Sequence, residues 1–396
     1  MVKGRRARPI LWAQVWGLAA VQGAITLAWV VYNLYLVDLL TSLGFPQGWA
    51  IGLLIVENGL AMITEPLMGV FSDRLQHQIG TRFPLISLGV ILAAGLFVGI
   101  PTVLVWGQNA VLRWMLPLLL VAWALAMTLF RSPALSLLGR YAFQTDLPQA
   151  ASILTLVGGL AGAMAPLANQ FILDLGPLLA FAMGSLLLLL AMVVLRWAGP
   201  NRSVALPTSP GFNAKSLSWV GLTLVFGVGL GTTLGFRLML TTFPILLQQR
   251  VAEARVAGTL GMIFVALALA AIPTGALANR LGNQRAMVLG LGMMAIFTLS
   301  LVAVQTPSQG LALAALLGAT FSLVANGSVP FALSLVPPEK AGLGTGLYFS
   351  GGALALCVWG GLLSAGEVAA WLYAGLGALA FLLAGVCVGQ SRRYRC

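Results

Sequence analysis

The 396-residue chain is poor in charge. Asp, Glu, Lys and Arg make up 8% of it, where an ordinary soluble domain carries about 25%. It has one histidine, His77, and three cysteines, Cys357, Cys387 and Cys396, without the spacing of a metal site or a disulfide framework. It has no glycine-rich phosphate loop. So little charge cannot cover a water-facing surface, which excludes a soluble enzyme, a nucleic-acid-binding domain and a disordered chain. A single histidine, no metal spacing and no phosphate loop exclude metal-centred or histidine-based catalysis and transport driven directly by ATP. What fills the chain is apolar: 60% hydrophobic residues and a mean hydropathy of +0.99. That composition describes an integral membrane protein in contact with the lipid bilayer.

A bilayer-crossing helix needs about 20 predominantly apolar residues. Twelve such runs can be marked: 11–40, 47–71, 84–106, 113–138, 149–173, 176–198, 217–247, 254–278, 286–305, 308–335, 341–364 and 367–389. The first and fourth are long enough to protrude from the hydrocarbon or to be broken. Twelve crossings leave 33 residues per helix plus loop, and no room for a soluble domain. The expected fold is therefore all-α, with twelve transmembrane helices.

The net charge of +12 has two readings, a basic surface for nucleic acid or the excess of Lys and Arg in cytoplasmic loops. With the N-terminus inside, 17 of the 21 basic residues fall on the cytoplasmic side. Three (Arg113, Arg250, Arg255) fall outside, and Arg237 lies within a span. This asymmetry selects the orientation reading, with both termini in the cytoplasm and the chain in a cell membrane, inner or plasma. The first run is too long for a cleaved signal and is expected to stay as a helix.

A repeat is visible. Gly69-Val-Phe-Ser-Asp73-Arg74-Leu75, followed by Gly80 and Arg82, is echoed 206 residues later by Gly275-Ala-Leu-Ala-Asn279-Arg280-Leu281, followed by Gly282 and Arg285. Pro133-Ala-Leu-Ser-Leu-Leu has an echo at Pro330-Phe-Ala-Leu-Ser-Leu-Val, offset by 197. Two echoes at nearly one offset indicate a six-plus-six duplication. The expected division is a six-helix bundle over 1–198, a linker over 199–216 and a second bundle over 217–396. Six helices per half keep both copies in the same orientation, the parallel-repeat plan of a two-bundle transporter.

These motifs carry a resemblance. Gly69-x-x-x-Asp73-Arg74 with Gly80-x-Arg82 resembles the helix 2–3 loop signature of the major facilitator superfamily. The weaker second copy and the Pro338-Glu-Lys-Ala-Gly342 turn agree with it. More narrowly, Glu65-Pro66-Leu-Met-Gly69 with Gly80-Thr-Arg82-Phe-Pro84, and Arg131-Ser-Pro133, are similar to patterns of the glycoside–pentoside–hexuronide:cation symporters and the sucrose transporters. Glu65 stands where that group has Asp, and Ala61 where its cation symporters have a second acid. The resemblance implies transport by alternating access, no bound cofactor, and a proton or sodium as coupling ion. It also implies a conformational latch built on Gly69, Asp73, Arg74, Gly80 and Arg82. Its second copy, Gly275, Asn279, Arg280 and Arg285, is weakened because Asn replaces the acid.

Ionisable groups within spans are expensive, and by default they mark function. Glu57 and Glu65 lie on the second helix, ~12 Å apart along it and ~80° apart around it. With Asn58 they form a polar stripe that must face a water-filled cavity or another helix. A carboxyl that titrates near neutral pH offers a physical basis for proton coupling, and permanent pairing with an Arg is the structural alternative. Arg237 either snorkels to the outer interface or holds an anionic group in a cavity. Arg131 has the same two options at the inner end of the fourth helix. Asn33, with Tyr32, offers hydrogen-bond groups to a solute. The substrate and cation set is thus Tyr32, Asn33, Glu57, Asn58, Glu65, Arg131 and Arg237.

Three functions fit this reading. The first is a monomeric secondary transporter of a small polar solute, sugar- or glycoside-like, coupled to a proton or another cation. The second is a facilitator or exporter of an amphipathic or lipid-like solute. The third is a non-transporting sensor or assembly factor on the same fold. No enzyme activity and no nucleic-acid partner are expected.

Overall fold

A computed structural model describes residues 10–105, 110–199, 217–250, 256–364 and 369–394. Among them there is no strand. Twelve helices are long and apolar enough to cross a membrane. In chain order they are α1 (Trp12–Ser42), α2 (Gly48–Ile79), α3 (Phe83–Val105), α4 (Ala110–Ser136), α5 (Leu147–Leu167), α6 (Gly176–Trp197), α7 (Trp219–Arg250), α8 (Val256–Leu281), α9 (Asn283–Ser300), α10 (Pro307–Ser334), α11 (Ala341–Ser364) and α12 (Ala370–Gln390). All of the expected linker except Gly199 lies outside the described residues, as do Lys3, Arg5, Arg6, Arg8, Arg202, Lys215, Arg255 and Arg395 of the charge tally.

Local chemistry sets several helix ends. α1 is one unbroken helix, and α4 is continuous despite Pro117 and Pro133. α2 runs eight residues past the apolar run that marks it, to Ile79. Polar Asp73 and Arg74 continue the helix, and it stops only where Gly80 takes the left-handed conformation (φ +78°) that suits a helix C-cap. α5 does the reverse. It ends at Leu167, and the apolar stretch beyond it turns into a separate short helix, Asn169–Asp174. α10 opens on a capping box: Thr306 accepts from the Gln309 N–H, and the Gln309 side chain accepts from the Thr306 N–H.

Each half has its own hydrophobic core. One is centred on Tyr32, Phe97, Trp123, Phe130 and Phe181, the other on Phe243, Met287, Phe331 and Phe381. Leu333 and Ala341 from the second half also join the first core. Large apolar side chains such as Leu118, Leu269 and Ile296 face outward, as lipid contact requires. The halves meet mainly along α2–α11 and α5–α8, with α5–α10 and α4–α11 adding contacts.

Lipid is as apolar as leucine, so these crossings depend on close backbone approach and interhelical hydrogen bonds. Gly69 lies directly against the Gly342 carbonyl, where a Cβ would collide with backbone. A Cβ at Gly346 would come within 2.6 Å of the Glu65 carbonyl oxygen. Pro66, inside α2, cannot donate to the Met62 carbonyl one turn earlier. The Ser350 hydroxyl of α11 donates to that carbonyl instead, which ties the halves together at the same level.

Candidate functional site

A cavity of about 530 Å³ lies between the two halves. Five residues of α1 reach it, the apolar Ile25 and the stripe of Gln22, Thr26, Trp29 and Asn33. The four of the stripe are spaced by four, three and four, so they share one face of the helix. α2 contributes Glu57 and Asn58, and α4 contributes Arg131. The opposite wall is aromatic, with Phe236, Phe264, Phe321, Tyr348 and Trp359, and with Arg237 as its charged group. Phe236 and Phe321 stack with centroids 4.0 Å apart.

Glu57 is 2% exposed. The Tyr32 hydroxyl donates to its Oε1, while Oε2 is buried with no partner among the described residues. Tyr32 does not line the cavity. It stands behind Glu57, stacked on Trp123 at 4.6 Å, and Trp123 stacks on Phe97 at 4.8 Å. This aromatic column fixes the phenol and keeps water from the rear of the carboxyl. Asn33 and Asn58 each spend a side-chain N–H on their own helix, on the carbonyls of Trp29 (2.6 Å) and Leu54 (2.7 Å).

Glu65 is fully buried and does not line the cavity. Arg131 Nε donates to its Oε1 at 2.8 Å, and the guanidinium makes an ion pair with it. The Ser132 hydroxyl donates to Oε2. The Arg131 guanidinium lies 4.5 Å from the centroid of the Phe349 ring of α11, so this ion pair borders the second half. Arg237 turns into the cavity. It sits 5.5 Å from the Trp359 ring centroid and has no hydrogen-bond or carboxylate partner among the described residues. The Trp359 indole is itself held by an N–H bond of 2.9 Å to the Thr241 hydroxyl.

Asp73 and Arg82, two of the residues expected to form a latch, make a second cluster, at the end of the molecule that bears the α2–α3 connection. Asp73 accepts from Arg82 and from the backbone N–H groups of Gly342 (2.8 Å) and Leu343 (2.9 Å) at the start of α11. A carboxylate is thereby held at a helix N-terminus, where free N–H groups and the helix dipole favour an anion. Arg82 also donates to the Ser136 hydroxyl. Burial pulls the Arg82 guanidinium below its ordinary pKa, and Asp73 opposes that pull. Arg74 is exposed.

The second copy differs in kind. Gly275 packs on Ser152, and Asn279 donates to Gln149 Oε1 at 3.1 Å. Arg280 and Arg285 are exposed and make no ion pair among the described residues. One inter-half contact is thus charged and its counterpart is neutral. Asp73→Asn removes that charge and leaves the buried Arg82 without its carboxylate. Maleimide labelling of a Leu135→Cys reporter on the cavity wall, applied from the latch end, should rise at least threefold in this variant. Unchanged labelling would make Asp73 a static anchor.

The site thus gathers Asn33, Glu57, Asn58, Arg131 and Arg237 around one space, with Tyr32 and Glu65 in the layer behind. Sequence reasoning missed the α1 stripe of Gln22, Thr26 and Trp29, although its polar spacing in an apolar helix was a readable signal. It also missed the aromatic wall and Ser132.

The chain is similar to the crystal structure of the human organic anion transporter MFSD10 (TETRAN). The TM-score is 0.68 at 18% identity, covering 96% of this chain and 100% of that one. At that identity the likeness concerns the fold. No curated protein matches the sequence. The profile of the Major Facilitator Superfamily matches residues 15–360, most of the chain. Twelve apolar helices, the repeated Gly-x-x-x-Asp/Asn-Arg motif, a cavity between two halves and that match make the chain an integral membrane protein belonging to the Major Facilitator Superfamily.

Proposed function

We propose that the protein is a secondary transporter that carries a small polar solute by alternating access and couples its movement to a proton through Glu57. The two bundles, 1–198 and 217–396, rock about the cavity with the 199–216 linker on the cytoplasmic side. Both termini are cytoplasmic, the membrane is a cell membrane, and a single copy suffices without a cofactor. The observation that carries this reading is Glu57, a carboxyl on the cavity with one oxygen held by Tyr32 and the other unpartnered. Such a group offers a free oxygen as a proton site at the cavity wall. The narrower kinship with glycoside and sucrose symporters is supported by Glu65 and Arg131, whose motif side chains are in contact. A sugar-like ring also fits a wall of aromatic faces.

A second reading, a carrier of amphipathic solutes, draws on the same wall, in particular the Phe236–Phe321 stack. Counterflow in proteoliposomes, with sugars, sugar acids and amphipathic aromatic compounds as trapped and external solutes, tests both. Exchange of at least one polar solute is expected. Exchange confined to amphipathic compounds would select the second reading. No exchange with any of them would remove both and leave a sensor or assembly factor.

A further inference from the structure

The charges around the cavity do not balance. Arg131 is cancelled by Glu65, its ion-pair partner one layer deeper. Arg237 has no such partner among the described residues. Its guanidinium is held against Trp359, whose indole is pinned by Thr241, and none of its five N–H donors is used on a described protein oxygen. A planar cation with free donors, fixed on an aromatic face inside a membrane protein, is built to receive an oxyanion through paired N–H bonds. The titratable and charged groups that meet Glu57 or share its cavity are Tyr32 from α1, Arg131 from α4, Arg237 from α7 and Tyr348 from α11. Of these two cations, Arg131 has a carboxylate partner and Arg237 has none among the described residues.

Resting on the transporter reading above, we propose that the solute is a small monoanion whose carboxylate, or equivalent singly charged oxyanion, binds Arg237 beside Trp359, and that it crosses together with one proton. The proton leaves water on the entry side, joins the Glu57 carboxylate, and returns to water on the other side. The solute itself is unchanged. In the loaded carrier the anion neutralises Arg237 while Glu57 is protonated. In the empty carrier the Glu57 carboxylate and the Arg237 guanidinium offset each other within one cavity. Neither form carries net charge through the hydrocarbon, where an uncompensated ion is costly. The transported unit, one anion and one proton, is electroneutral.

Counterflow and uptake in proteoliposomes with three matched pairs test this: glucuronate and glucose, lactate and propane-1,2-diol, benzoate and benzamide. In at least one pair the anion should exchange at least tenfold faster than its neutral partner. Its uptake should not respond to a potassium diffusion potential set with valinomycin. Arg237→Gln should reduce anion exchange at least tenfold, and Arg237→Lys should restore part of it. The wild-type comparison and the voltage test need no variant and stand even if Arg237→Gln fails to fold. Equal exchange of the neutral partners, or uptake that follows the membrane potential, overturns the monoanion while the transporter reading stands. No exchange of any of the six overturns both.

Discussion

Arg131→Ala is expected to destabilise the protein by about 3–5 kcal/mol, the usual cost of breaking a buried ion pair from one side. Glu65 is fully buried, and among the described residues its carboxyl holds only Arg131 and Ser132. Removing the guanidinium leaves an acid that must either keep an uncompensated charge or take up a proton. Removing both charges avoids that choice, so Arg131→Ala with Glu65→Gln should recover at least half of the loss. Thermal unfolding of the purified protein in detergent, followed for the two single variants and the double variant, checks it. Additive losses would show that the pair contributes packing alone. Arg131 also lines the cavity and rests on Phe349, so part of the loss should persist in the double variant as missing contact area.

Glu57→Gln should abolish concentrative uptake driven by a proton gradient, with accumulation falling to the equilibrium level. Solute-for-solute counterflow in the same variant should continue at a measurable rate. Glutamine keeps the shape and can still accept from Tyr32, but it cannot exchange a proton with water. The split between the two assays is what matters, because a collapsed fold loses both. Retained gradient-driven accumulation would remove Glu57 from coupling and turn attention to Glu65. Tyr32→Phe should act in the same direction but more mildly, because the carboxyl remains and loses only its positioning partner.

The twelve crossings were legible because the bilayer imposes length and composition directly. The helix ends were not. α2 continues through Asp73 and Arg74 because water and α11 satisfy them, a tertiary circumstance that hydropathy does not register. Within the site, the charged members stood out against an apolar background, and Arg237, left between two orientations, turns into the cavity. The division of labour on α2 was hidden. Glu57 and Glu65 have similar surroundings in the sequence, and only the packing of α4 places an arginine on one of them. The aromatic wall was hidden for a different reason. Phe236, Phe264 and Phe321 in an apolar helix look the same whether they face a solute, a neighbouring helix or lipid.

Pro66 bears on how these parts move. It removes one of the hydrogen bonds that stiffen α2, at a level between Glu57 and Asp73, and the vacated carbonyl is held by a single serine hydroxyl from the opposite half. A helix with a missing rung bends more readily at that rung than elsewhere. α2 is therefore two levers joined at a soft point, one ending at the carboxyl on the cavity and the other at the latch. Tilting of the first lever when Glu57 changes its charge need not break the contacts of Asp73 at once. In the transport cycle proposed above, such a delay would set an order of events, with the cavity responding first and the Asp73 contacts opening second.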